Sequence, residues 1–371
     1  MKKAVLAVVA LLAVFVGVPA SAATPGWDHP GYDAEDSYYN PHESSINAAT
    51  VGSLTRRWSV PLRRFDETCG GPGALLLAAG RVVASDGRGI SAYGMIDGKP
   101  AWHFDWDDPM DAPTPVLGVS GGTLIAGHGE CNSQSDPNGH LVALDLATGK
   151  VRWRVDNGVP VVSFTVDKGM VVMSGESPSD ELGTFAYRVS DGRLAWQKPG
   201  YAASSPSADG RILMTKAHTV SAVDVVTGAV AWTKRTVWVA EAATPSADRF
   251  VVSDGTALSV ISAKNGALLW TAKGKQTTFV ATDGRRVYRS AGFVVEALNI
   301  RNGKHLWQRR LGTESIQPIR AGGLVYTGGP ILNAANGDIV SLGAAIADAK
   351  ILVAAGRVFM VNDRMLSIVA S

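Results

Sequence analysis

Cysteine is nearly absent from this chain of 371 residues: only Cys69 and Cys131 occur, and they are not neighbours. A disulfide-dense small fold is excluded, and no Cys/His spacing fits a zinc site. Net charge is scarce too. Lys and Arg number 35 against 33 Asp and Glu. Lys2 and Lys3 lie in the first 22 residues, which hold no acid, so the remainder is formally neutral. Composition therefore gives no basis for binding nucleic acid or an acidic membrane. Helical periodicity is not sustained anywhere, no nucleotide-binding loop occurs, and no long apolar run follows Val18.

The one apolar run is informative by position. Lys2-Lys3 precede the uncharged stretch Ala4 to Val18, and Ala20-Ser21-Ala22 follow. The run is short for a membrane span, and the small residues suit a signal peptidase. Residues 1–22 are thus expected to be a cleaved secretory signal. No cysteine stands at the cleavage point for a lipid anchor, so the protein is expected to be secreted.

Glycine, by contrast, is abundant at 41 residues, and much of it is periodic. A motif recurs seven times, most clearly as Ala143-Leu-Asp145-Leu-Ala-Thr148-Gly149-Lys-Val-Arg-Trp153 and Ala222-Val-Asp224-Val-Val-Thr227-Gly228-Ala-Val-Ala-Trp232. Its glycines are Gly98, Gly149, Gly192, Gly228, Gly266, Gly303 and Gly337, spaced 34 to 51 residues apart. Four residues after each of the first six stands a tryptophan: Trp102, Trp153, Trp196, Trp232, Trp270 and Trp307. The seventh copy has Ser341 there. The residue before the glycine is Asp, Asn or Thr, which suits a two-residue hairpin turn with positive φ. A large aromatic at a fixed offset falls on the same strand face each time, where it docks one sheet on the next. A period of this length, built of strands and turns alone, is that of a four-stranded propeller blade. In the fifth blade the strands are expected at 241–247, 250–254, 258–262 and 267–272.

The chain ends supply the blade count. Arg56-Arg57-Trp58-Ser59-Val60 reads as an outer strand with its tryptophan but no hairpin partner, and residues 350–356, 357–362 and 365–370 read as three inner strands lacking an outer one. Together they make an eighth blade, which closes the ring and removes its open edges. The expected architecture is all-β: an arm over 23–53, then one eight-bladed propeller of four-stranded antiparallel blades over 54–371.

The Ala-x-Asp-x-x-Thr-Gly-x-x-x-Trp pattern resembles the pyrroloquinoline-quinone (PQQ)-like repeat propellers, over about residues 24–371. The segment Gly31-Tyr32-Asp33, Tyr39-Asn40-Pro41, Ile46-Asn47, Val51-Gly52-Ser53-Leu54 and Trp58 resembles the start of quinoprotein alcohol dehydrogenases and of cofactor-free relatives. The resemblance implies either a dehydrogenase with PQQ and calcium, or a non-enzymatic scaffold like the outer-membrane barrel-assembly branch. Dehydrogenases of this fold carry adjacent cysteines and long insertions over the cofactor. This chain has neither.

Long loops on a rigid scaffold are where function concentrates. Four stand out: 61–73, 104–115, 127–140 and 175–183. All should emerge on one side of blades 1–3, opposite the glycine turns. They are acidic, with Asp66, Glu67, Asp105, Asp107, Asp108, Asp111, Glu130, Asp136, Glu176, Asp180 and Glu181, and they include His128 and His140. Oxygen ligands suit calcium, and Asp105, Asp107, Asp108, Asp111, His128 and Glu130 are the weak candidates, although no calcium-loop spacing is present. Cys69 and Cys131 fall in two of these loops on neighbouring blades, and a disulfide between them is expected. Trp106 and Trp238 lie outside the repeat position; they are candidates for a flat cofactor floor, with packing the simpler role. Gly118-Val-Ser120-Gly-Gly122 matches an esterase pattern but reads as a strand–turn–strand, so it carries no catalysis.

The expectation is a secreted, monomeric scaffold without evident cofactor, binding a protein or peptide through the acidic loops of blades 1–3. The alternative is a PQQ- or metal-dependent oxidoreductase using the central funnel.

Overall fold

The computed structural model describes residues 26–371 except 68, 72, 134, 274–278, 348 and 363. The expected signal segment lies outside those residues. Among them, no helix is long and apolar enough to cross a membrane.

The described strands form eight antiparallel blades, each of four consecutive strands until the ring closes. Blade 1 runs Leu75–Ala78, Arg81–Ser85, Gly89–Gly94 and Pro100–Asp105 from inner to outer strand. Blade 2 runs Val116–Ser120, Thr123–His128, Gly139–Asp145 and Val151–Asn157. Blades 3 to 7 follow over 163–199, 202–234, 239–273, 279–310 and 319–341. The middle strands are buried on both faces, because each blade is sandwiched between two others; Val82, Val83 and Ala84 are all fully buried. Outer strands alternate, as Val151–Asn157 does.

Blade 8 is assembled from both ends of the chain. Lys350–Ala354, Arg357–Asn362 and Met365–Ala370 are completed by Thr55–Pro61, which pairs antiparallel with Met365–Ala370. The sequence expectation of a split closing blade is met. Blade 5, however, begins earlier than expected: its inner strand is Val239–Ala243. Thr244 Oγ1 donates to Asp248 Oδ1 at 2.7 Å and Ala247 has φ +55°, so 244–248 is a turn.

The glycine turns also differ from the expected two-residue type. Between Asp145 and Lys150 the loop is four residues long, with Gly149 N–H donating to Asp145 O at 2.8 Å and Asp145 N–H to Lys150 O at 2.8 Å. Gly149 has φ +71°, but Thr148 is not left-handed. The Asp explains the motif: Asp145 Oδ1 accepts from Thr148 N and Thr148 Oγ1 at 2.9 and 2.8 Å, capping the turn from inside.

Each tryptophan docks on the next blade's glycine. A Cβ on Gly149 would sit 2.6 Å from the Trp102 ring, so only glycine leaves room there. The indole N–H then donates to the carbonyl three residues before that glycine, as Trp102 Nε1 does to Leu146 O at 2.9 Å. Trp153, Trp196, Trp232, Trp270 and Trp307 repeat this at 2.7 to 3.1 Å. Trp58 packs on Gly98 in the same way, but its Nε1 is buried without a partner. At Ser341 the reason for the missing tryptophan is visible: blade 8 has chain ends where a glycine turn would stand, and the 3-10 helix Val51–Ser53 occupies that place.

The N-terminal arm is a belt. Trp27, fully buried, exchanges main-chain hydrogen bonds with Leu77 of blade 1 at 2.7 and 2.8 Å. Asp28 O then accepts from Val119 of blade 2, and His29 Nε2 lies 2.5 Å from Val166 O of blade 3. Ala34, Glu35, Ser37 and Tyr38 carbonyls accept from Ser207, Ala243, Thr282 and Arg320 of blades 4 to 7. Asn40 Nδ2 finally donates to Val353 O of blade 8 at 2.8 Å. Fourteen residues, Trp27 to Asn40, thus touch the inner strand of every blade, on the side away from the long loops.

Candidate functional site

The expected disulfide is formed: Cys69 and Cys131 are bonded, with Cα atoms 6.3 Å apart. It ties the loop before blade 1 to the loop within blade 2. Other contacts knit the same surface. Asp111 Oδ1 accepts from Cys131 N at 2.7 Å and Asn132 N at 2.6 Å. Ser179 Oγ donates to Asp136, joining the long loops of blades 2 and 3. Arg364 approaches Asp66 at 3.4 Å.

Between blades 1 and 2 these loops enclose a cavity of about 290 Å³. Trp106 forms its apolar wall, edge-on to Phe104 at 5.0 Å and 4.6 Å from the His128 ring. It packs in the seam, the simpler of the two roles the sequence offered. Trp238 likewise packs in the core shared by blades 4 and 5. His128 and His140 lie 5.1 Å apart, ring to ring.

The two histidines are in opposite states. His140 Nδ1 is 2.8 Å from Asp156 Oδ1 and its Nε2 is 3.0 Å from Glu130 Oε1. Two carboxylates accept only, so both ring nitrogens carry protons. Burial opposes that charge, but Asp156 and Glu130 outweigh it and raise the pKa. His128 has no such partner, and burial lowers its pKa. Its Nδ1 is 2.6 Å from Gly129 O and so holds the hydrogen, leaving Nε2 as a lone-pair acceptor.

The acidic candidates separate accordingly. Asp107, Asp108, Asp111, Glu130 and His128 line the cavity. Asp105 does not: it pairs with Arg63, which also holds Asp86 at 2.9 Å. Asp107 pairs with Arg154 at 2.9 Å, and Asp108 accepts from Met110 N at 2.9 Å. Among the described residues, no three His, Cys, Asp or Glu side chains are grouped so as to hold a metal. Arg154 and Asp156 were missed in the sequence, because charges on an outer strand read as a solvated face. The register could have found Asp156, which stands directly opposite His140. The esterase-like stretch is a strand and its turn, with Gly121 and Gly122 at φ +55° and +74°.

The fold and its seams define a class: eight-bladed propellers built of repeats with a docking tryptophan. A family model described as outer membrane protein assembly factor BamB matches residues 86–217 and 216–364, and the chain belongs to that PQQ-like repeat family. No curated protein matches the sequence. Among solved structures, BamB from Moraxella catarrhalis superposes with a TM-score of 0.64 at 20% identity, over 86% of this chain and 98% of that one. Quinohemoprotein alcohol dehydrogenase from Comamonas testosteroni superposes with a TM-score of 0.69 at 12% identity, over 94% and 81%. A europium-containing methanol dehydrogenase gives 0.66 at 11%, over 91% and 89%. At these identities the likeness is one of fold.

Proposed function

We propose that the protein is an extracytoplasmic binding scaffold whose protein partner docks on the long-loop side of blades 1–3. The observation that carries this reading is the cross-tying of loops from three blades, by Cys69–Cys131, Asp111 and Ser179–Asp136, around one charged cavity. Loops held this way lose little entropy when a partner binds. The disulfide accords with an oxidising compartment.

The dehydrogenase reading fits less well. Both cysteines are joined in an inter-loop bridge, so the adjacent pair that the resemblance implies for quinone catalysis has no counterpart.

The test is cross-linking of the protein in its native compartment, comparing charge reversals on the two sides. Asp66→Lys, Glu176→Lys and Glu181→Lys together should abolish the cross-linked partner, while Asp209→Lys, in a turn on the other side, should not. A partner retained by the loop variant contradicts the reading. So does PQQ- and calcium-dependent dye reduction by the purified protein.

A further inference from the structure

We propose that the cavity between blades 1 and 2 is a subsite for one cationic side chain, arginine or lysine, of the partner polypeptide. The inference rests on the scaffold reading and specifies what that surface recognises.

The charge ledger of the lining decides the sign. Five carboxylates (Asp107, Asp108, Asp111, Glu130 and Asp156) face Arg154 and protonated His140, a surplus of three negative charges. Arg154 answers Asp107, and His140 answers Glu130 and Asp156. Asp108 and Asp111 have no cationic partner among the described residues; the hydrogen bonds they accept come from main-chain N–H groups. With them stands His128 Nε2, a neutral acceptor that meets no donor among the described residues. Among the charged and imidazole groups of the lining, the uncommitted ones await a hydrogen-bond donor. An ammonium or guanidinium supplies several donors with a positive charge, and such charge-assisted bonds are the strong ones. A metal ion would need three ligands at closer quarters than these residues provide.

A second, independent observation points to a polypeptide rather than a free amine. Trp106 is 8% exposed and lines the cavity, yet its indole N–H makes no hydrogen bond to any described residue. Six of the seven blade-docking tryptophans donate to a carbonyl, Trp58 being the exception. That N–H is not among the buried groups without a partner, so it is open and free to donate to an incoming acceptor. A lone cation has none to offer, whereas a residue in a chain brings its own main-chain carbonyl beside its charge.

The test uses the disulfide-bonded full-length protein and four probes: acetyl-Ala-Arg-Ala-amide, its lysine analogue, its citrulline analogue, and methylguanidinium. Citrulline keeps the shape of arginine without the charge. Binding is followed by calorimetry and by Trp fluorescence. The arginine and lysine peptides should bind at least tenfold tighter than the citrulline peptide. Asp108→Asn should weaken the arginine peptide about tenfold with an unchanged melting temperature. Trp106→Phe should weaken the peptide but leave methylguanidinium unaffected. Equal binding of the arginine and citrulline peptides overturns the proposal, as does indifference to Asp108→Asn. A captured partner that is lost with the loop reversals, yet ignores both Asp108→Asn and competing arginine peptide, removes the subsite and leaves the scaffold reading intact.

Discussion

Two of the seams that hold cavities are built differently. Between blades 1 and 2, Trp102 sits on Gly149 with its N–H on Leu146 O, a disulfide bridges the loops above, and the cavity is charged. Between blades 7 and 8 the tryptophan position is Ser341, and the cavity of about 230 Å³ is lined by Val51, Leu54, Ile331, Ser341, Ile346 and nearby Gly and Ala. The next seam, from blade 8 to blade 1, has Trp58 without a hydrogen bond. Blade 8 therefore lies between the two least complete seams. The lesson is that ring closure and loop reinforcement lie apart: the closing blade tolerates imperfect packing, while the reinforced seam holds charges at fixed positions.

The largest expected effect comes from removing the closure itself. A chain without residues 26–61 loses the outer strand of blade 8 and the belt that touches every inner strand. It should aggregate or lose cooperative thermal unfolding. Trp27→Ala alone, at a fully buried indole, should cost about 3–5 kcal/mol. An unchanged melting temperature in the deletion would refute the split blade.

Next comes the reinforced seam. The Cys69–Cys131 bridge spans 62 residues, for which unfolded-state entropy sets an upper figure of about 4 kcal/mol. Replacing both cysteines by alanine should lower stability by up to that amount. The loss should appear in blades 1 and 2, in hydrogen exchange, and leave blade 8 unaltered.

A smaller difference separates the tryptophans. Trp102→Phe strands the Leu146 carbonyl, whereas Trp58→Phe breaks no hydrogen bond. Denaturant titration should show Trp102→Phe costlier by about 1–2 kcal/mol. Equal costs would mean that the seams are alike.

The effect of pH belongs to the belt. Burial raises Asp33 to about 6, and Glu35 and Asp36 to about 7. His29 is raised to about 9, because Asp28 and Val166 O outweigh a burial that would lower it. Carboxylates with raised folded values bind more protons folded than unfolded, so stability falls as pH climbs from about 4 through 7. His29 acts in the same direction, its contribution full below 6.5 and lost through about 9. The melting temperature should decline from pH 5 to 9, and Asp36→Asn should flatten the lower part of the decline.

The repeat was legible because its glycine and tryptophan are each demanded by one contact, and closure was legible because two incomplete patterns complement each other. The disulfide followed from two loops on adjacent blades. The arm was legible as a segment before the ring, but its course across all eight blades was not, since it docks mainly through main-chain groups that any residue possesses. In the cavity, Asp108, Asp111, Glu130 and His128 were visible as loop residues, but the division into paired and unpaired charges depends on Arg154 and Asp156, which look like ordinary outer-strand surface. The unsatisfied N–H of Trp58 is likewise a matter of geometry alone.

The contrast between the two seams is tested most directly by native-state hydrogen exchange resolved on single strands. Thr55–Pro61 and Met365–Ala370 should open at a lower free energy than Gly139–Asp145 and Val151–Asn157. If blade 2 exchanged first, or if all blades opened together, the reinforced seam would not be the rigid one and the account would be wrong.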